Sequence, residues 1–457
     1  MVFQGFLTIV AVALCLPDAL AATVSETFLD SIRSARPVTA QSSPARNRTC
    51  IVESHNDGTT DDSDYILAAL EDCNNGGHVI FPGSQIYAIN EALDMTFLSS
   101  VDVDIQGTVK FTDDIEHWLN STFDLGFQNA TSFFKLGGED VNVYGGGTID
   151  GQGQVWWDNY AKNKHDRRPV LFATVELHGG TISDINLRNS PFWHNFVGNS
   201  SNVEFTNISI HSVSNNENFE KNTDGWFSGP CSRTWLRTTS GWDIYRSEYI
   251  TVQNSSVTNG DDCVSFKPNS TNVLVRNMVC NGTHGMSVGS LGQYPDRVDY
   301  VENIYVYNAA MYNSSEGARI KVWPNAFSEK SANLVGGGGT GLVRNVTYDT
   351  MWLDNVDYGL TITQCYGQDD EEECFKHPSK LNITDVTFRN IRGRTNRVFA
   401  PIVAHLVCSS PDTCSNIVAE DIDIRTINGS NLVTCRNMNE DTLDVNCVDW
   451  SKGYNPA

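Results

Sequence analysis

A short phrase of alternating apolar and polar residues recurs along the chain and narrows the folds open to it. It reads Val203-Glu-Phe-Thr-Asn-Ile-Ser-Ile, then Ile250-Thr-Val-Gln-Asn-Ser-Ser-Val, then Val273-Leu-Val-Arg-Asn-Met-Val. It returns at Ile304-Tyr-Val-Tyr-Asn, Val346-Thr-Tyr-Asp, Val386-Thr-Phe-Arg-Asn-Ile and Ile417-Val-Ala-Glu-Asp-Ile-Asp-Ile. Alternation with a period of two marks strands, and the Asn or Asp that often follows marks a turn. The step from Ile250 to Val273 is 23 residues, and other steps are longer, as if they carry loops. A strand repeat of this length with no helical period predicts a solenoid whose coils bury their apolar faces against one another. A leucine-rich horseshoe is excluded because its Leu-x-x-Leu-x-Leu phrase is absent, and a β-sandwich would require more hairpin turns. At 457 residues the chain is too long for one rounded core. An all-β, single-domain, right-handed parallel β-helix satisfies both constraints.

The ends of the chain indicate its compartment. Phe6 to Leu16 is almost wholly apolar, and Ala19-Leu20-Ala21 has the small-x-small form that precedes signal cleavage, although no Lys or Arg stands before the run. That run is too short to span a bilayer, and no later one is long enough. The expected organisation is a signal peptide over 1–21, an extension rich in Ser, Ala and Arg over 22–49, and the solenoid over 50–457. Twelve Asn-x-Ser/Thr sites fit export, from Asn47 to Asn428. Removing Cys15 with the signal leaves 11 cysteines. Proximity in sequence suggests the pairs Cys50–Cys73, Cys263–Cys280, Cys365–Cys374, Cys408–Cys414 and Cys435–Cys447, with Cys231 left over. A zinc site is disfavoured, since no CxxC pair occurs and the compartment is oxidising.

Charge limits the partners. The chain has 55 Asp and Glu against 31 Lys and Arg, a formal charge of −24. So acidic a surface disfavours nucleic acid and anionic membranes, and repels acidic polymers unless a local basic patch compensates. Four polar clusters supply a candidate site: Asn222-Thr-Asp224, Asp261-Asp262, His284-Gly285 and Arg319-Ile-Lys321. Asp262 and His284 are 22 residues apart, about one coil, so the two clusters should lie side by side. Crowded carboxylates push their pKa values apart and serve as an acid and a base; the alternative is a solvated acidic turn or a set of calcium ligands. His284 alone reads equally as a structural histidine. Arg319 and Lys321 alternate along a strand and share a face, suited either to ion pairs with Asp or to a carboxylate ligand.

One segment breaks the pattern. Asp224 and Asp261 are 37 residues apart, and residues 226–241 between them carry no strand phrase. Without those 16 residues the spacing falls to 21, about one coil, and Cys231 disappears. The expectation is an unspliced intron of 48 nucleotides in the gene reading; the alternative is a genuine surface loop.

Taken in order, the four clusters resemble the signature of glycoside hydrolase family 28, the polygalacturonases. The resemblance runs from about Cys50 to Cys447 and includes Gly145-Gly-Gly-Thr-Ile-Asp-Gly-Gln-Gly, Trp156-Trp157 and Asn189-Ser-Pro-Phe-Trp193. It implies a monomeric, metal-free, inverting hydrolase of pectic polysaccharide (polygalacturonate). Asp261 would be the general acid, with Asp224 and Asp262 activating water. His284 would support the acid's protonation, Arg319 and Lys321 would hold the substrate carboxylate, and Asn222 would line the cleft. The stretches Asp261-Asp-Cys-Val-Ser-Phe-Lys-Pro-Asn, His284-Gly-Met-Ser-Val-Gly-Ser and Arg319-Ile-Lys-Val-Trp-Pro are similar to fungal exo-polygalacturonases, which act from the non-reducing end. Three rivals remain: xylogalacturonan or rhamnogalacturonan specificity, a pectin lyase on the same solenoid, and an inactive glycan-binding solenoid presenting Trp156, Trp157 and Trp193.

Overall fold

Residues 45–218, 240–325, 336–368 and 370–449 are described by the computed structural model. The signal peptide, most of the extension, Asn222, Asp224, Cys231 and nearly all of the 226–241 segment lie outside the described residues. Among the described residues no helix is long and apolar enough to cross a membrane.

The seven recurring phrases stack. Their first residues pair in parallel from one coil to the next, Val203 with Ile250, Ile250 with Val273, Val273 with Ile304, Ile304 with Val346, Val346 with Val386 and Val386 with Ile417. All seven are buried, which is what a phrase repeated once per coil must achieve. Each such side chain contributes about 1.5–3 kcal/mol of hydrophobic stabilisation. The strands of this stack that matter below are β1 (Arg48–Ile51), β2 (Glu248–Thr258) and β3 (Ser270–Asn281). Among the described residues, one strand pair runs antiparallel, Phe123–Asp124 with Thr131–Ser132. The architecture is a right-handed parallel β-helix.

Asparagine turns the corners. Asn254, Asn277 and Asn308 have φ of 50–55°, in the left-handed region, and occupy equivalent places on successive coils. Asn277 Nδ2 donates to Asn254 Oδ1 at 2.9 Å, and Asn308 donates to Asn277 at 2.8 Å. A second ladder runs from Asn345 to Asn303 to Asn272. Asn tolerates this backbone, and its amide both donates and accepts, so each copy satisfies the next.

The N-terminal end is covered by helix α1 (Ser63–Asp72), which buries Ile66, Ala69 and Leu70 against the first coils. Just past it, Cys73 is bonded to Cys50 of β1. All five expected cysteine pairs are disulfides. Strand β1 opens at Arg48, slightly ahead of the expected boundary, and Arg46 anchors it through Asp102 at 3.0 Å and Asp140 at 3.2 Å.

Candidate active site

The site sits on a second stack of short strands. These are β4 (Asn195–Gly198), β5 (Trp242–Tyr245), β6 (Val264–Phe266), β7 (Met286–Leu291), β8 (Glu316–Val322) and β9 (Tyr358–Thr363). Ile244, Phe266, Val288, Ile320 and Ile362 form the fully buried inner column. One residue earlier on each strand lies the outward column Phe196, Asp243, Ser265, Ser287, Arg319 and Thr361. Period-two alternation therefore delivers polar groups to one face at one-coil intervals.

Asp261 and Asp262 occupy the turn between β2 and β6, which the Cys263–Cys280 disulfide ties to the end of β3. The Asp262 backbone N–H donates to Asp261 Oδ1 at 2.7 Å. One coil on, the His284 backbone N–H donates to the Asp261 carbonyl at 2.7 Å, and its Nδ1 lies 3.3 Å from Asp261 Oδ1. The residue after His284 must be glycine: Gly285 has φ of +101°, and a Cβ there would lie 2.8 Å from the Gly317 carbonyl oxygen. Asp262 receives the Ser287 hydroxyl at 2.6 Å and the Lys321 ammonium at 2.8 Å. Arg319 and Lys321 share a face, as their alternation predicts; Arg319 Nη1 lies 3.0 Å from Glu316 Oε2. Both cations approach the Tyr366 ring, at 5.9 and 5.8 Å.

The electrostatics place a proton. Burial would raise the Asp261 carboxyl, but the hydrogen bond and charge of His284, with Lys321 and Lys267, hold it well below the usual carboxylate range. Burial would also lower His284, and Asp261 outweighs it, so the imidazole is raised above its ordinary 6.5. The pair therefore carries one proton, resting on His284. Asp262 is likewise lowered, against burial, mainly by Lys321. The nearest donor atoms of Asp261, Asp262 and His284 lie within 4.8 Å of one another, a spacing that a cation could also use. Here those atoms already engage Lys321, Ser287 and each other.

Five of the seven expected residues, Asp261, Asp262, His284, Arg319 and Lys321, thus converge; Asn222 and Asp224 lie outside the described residues. Sequence reasoning missed Ser287, Glu316, Tyr366 and a buried pair, Asp243 and Lys267, 3.3 Å apart. Burial pushes Asp243 up to about 8, against the charge of Lys267. Coil register was the signal available for these: Ser287 follows Ser265 in one column, and the Tyr366 N–H donates to the Val322 carbonyl across one coil.

A family model for glycosyl hydrolases family 28 matches residues 83–447. This chain belongs to glycosyl hydrolase family 28. Relatives include an exopolygalacturonase from Cochliobolus carbonum, 52% identical over 419 residues, which covers 91% of this chain and 90% of the relative. Exopolygalacturonase X from Aspergillus niger is 52% identical over 416 residues, 91% of either chain. Among solved structures, an endo-xylogalacturonan hydrolase from Aspergillus tubingensis aligns with a TM-score of 0.76 at 33% identity, covering 88% of this chain and 99% of that one. Membership makes this family 28 chain a glycoside hydrolase and sets aside the lyase reading. The glycan-binding alternative also loses its aromatic platform, because Trp156, Trp157 and Trp193 are each at most 1% exposed and pack inside.

Proposed function

We propose that this family 28 enzyme is a secreted, monomeric exo-polygalacturonase that releases galacturonate from the non-reducing end of polygalacturonate. The observation that carries it is the 52% identity to exopolygalacturonases across 91% of the chain, which exceeds the 33% to the xylogalacturonan hydrolase. The leader-like N-terminus and five disulfides support export. In solution, sedimentation at the mass of a single chain is expected; a stable dimer would remove the monomer reading.

The chemistry follows from the cluster. The Asp261–His284 pair gives its shared proton to the departing glycosidic oxygen as the anomeric C–O bond breaks. Asp262, ionised and held by Ser287 and Lys321, takes a proton from the attacking water, with Asp224 as its expected partner. Arg319 and Lys321 hold a ring carboxylate. This is the inverting scheme, in which water enters between acid and base on the face opposite the leaving group.

The test follows reducing ends and viscosity together on polygalacturonate, for the chain as given and for one lacking residues 226–241. Early galacturonate with slowly falling viscosity is expected from the shortened chain. Rapid loss of viscosity would mean endo action, and turnover of xylogalacturonan alone would move the specificity. Full activity of the longer chain would remove the intron reading. NMR of the first product should show the inverted anomer; the retained one would refute the water-in-line scheme.

A further inference from the structure

Arg168 is a buried cation that the reaction as described does not use. It is 4% exposed and sits just before the short strand Pro169–Val170. Its guanidinium lies 4.0 Å from the Tyr160 ring centre and 5.2 Å from that of Phe192. Nη1 donates to the Pro191 carbonyl at 3.1 Å. Among the described residues the two buried lysines each face an aspartate, Lys267 with Asp243 and Lys321 with Asp262. Among the described residues no carboxylate stands within ion-pair distance of Arg168. Burial lowers it to about 10, and Asp261 is the carboxylate whose charge opposes that shift. A desolvated guanidinium with a carbonyl and two rings for company is costly unless an anion joins it.

Position says which anion. Arg168 precedes Ala173, which stands in the outward column that runs on through Phe196, Asp243, Ser265, Ser287 and Arg319 towards the C-terminal end. Ser265 lies on the coil of Asp261 and Asp262. Arg168 therefore stands on the N-terminal side of the acids and Arg319 with Lys321 on the C-terminal side. A polyuronate crossing the coils passes a cation on either side of the bond being cut.

We infer that Arg168 binds the carboxylate of the galacturonosyl ring across the scissile bond from the ring held by Arg319 and Lys321. The inference rests on the hydrolase reading above. Its guanidinium would take that carboxylate through the N–H groups not given to Pro191, while Tyr160 and Phe192 fix its plane.

The experiment uses digalacturonate and its two mono-methyl esters, one on each ring, with wild-type enzyme, Arg168→Gln and Arg168→Lys. In the wild type each ester should cost about 10- to 100-fold in kcat/KM, the loss of one charge-assisted contact. In Arg168→Gln the diacid should lose a similar factor, mainly through KM, and sensitivity to one ester should fall to about twofold or less while sensitivity to the other persists. Arg168→Lys should recover part of the lost discrimination. A variant that loses rate equally on all three substrates assigns Arg168 a structural role and overturns the inference. So does a wild-type enzyme indifferent to the ester on one ring, whatever the variants do. A folded enzyme that, both with and without residues 226–241, cleaves none of the three and no polygalacturonate overturns the hydrolase reading itself.

Discussion

Asp261 was expected to be a protonated acid, and its surroundings favour the opposite arrangement for the isolated group. In the proposed mechanism the pair resolves this: His284 Nδ1, 3.3 Å from Asp261 Oδ1, holds the proton that the leaving oxygen takes as it gains basicity. The pH consequence has a definite sign. Activity requires the pair's proton, so it falls as pH rises through the His284 value, raised above 6.5, and it falls in acid as the lowered Asp262 protonates, below 3.8. The profile of kcat/KM should be a broad bell between those limits. Asp261→Asn should fold normally and lose about 10²–10⁴ in kcat, the usual worth of positioned acid–base catalysis. His284→Gln should bring the alkaline limb down to lower pH, because the proton then has to be held by the Asp261 carboxyl in place of an imidazole raised above 6.5. An alkaline limb centred below 6.5 in the wild type, or an unchanged one in His284→Gln, would contradict the shared proton. The members of this set were legible in sequence because they fall in short clusters at one-coil spacing. Where the proton sits was not legible, because it depends on distances and burial that spacing leaves open. Arg168 was invisible for a related reason: it stands in Arg167-Arg168-Pro169, with nothing local to separate a buried cation from a surface one.

At the scale of elements, the strand phrase proved more informative than any motif. All seven phrases join one stack in the register that their first residues suggest, since a one-residue slip would turn every apolar side chain outward. The corner residues were legible as turns but not as a ladder, because the loops between Asn277 and Asn308 vary while the side-chain contact stays fixed. The ladder makes a testable contribution. Asn277 accepts from Asn308 and donates to Asn254, with φ of 55°. Asn277→Ala loses both bonds and adds left-handed strain, so it should cost about 2–4 kcal/mol. Asn277→Gly relieves the strain and should cost roughly 1–2 kcal/mol. Chemical denaturation of the two variants checks the order; equal losses would mean that backbone strain plays no part. What a single strand could not reveal is the pairing of Lys267 with Asp243, because it joins different coils: Lys267 shares the outward face of Ser265, and only the register that sets Asp243 beside Ser265 brings the two together.

Over the whole molecule, buried ionisable groups set how stability depends on pH. A formal charge of −24 already favours the compact state in acid, where self-repulsion falls. Asp243 adds to this. Its two carboxylate oxygens are buried with the Lys267 ammonium 3.3 Å away, and burial, outweighing that charge, pushes it up to about 8. A carboxyl raised on folding binds its proton more tightly in the native state, so its contribution is full below the ordinary 3.8 and is lost as pH rises towards 8. Asp357, raised by burial to about 6, acts in the same direction. Asp261 and Asp262, both lowered, act the other way: their contribution is present above 3.8 and lost as pH falls through their folded values. His284, raised, contributes below 6.5 and loses that above its folded value. The Tm should therefore be highest in weak acid and decline on both sides. Asp243→Asn replaces the protonated carboxyl by a neutral group of the same shape, so near pH 5 its Tm should match the wild type. Above pH 8 the variant no longer carries a buried anion and should melt higher, by about 1 °C for each kcal/mol recovered in a chain of this size. If instead Asp243→Asn melts lower at every pH, the ion pair with Lys267 outweighs desolvation, and Asp243 is a carboxylate throughout.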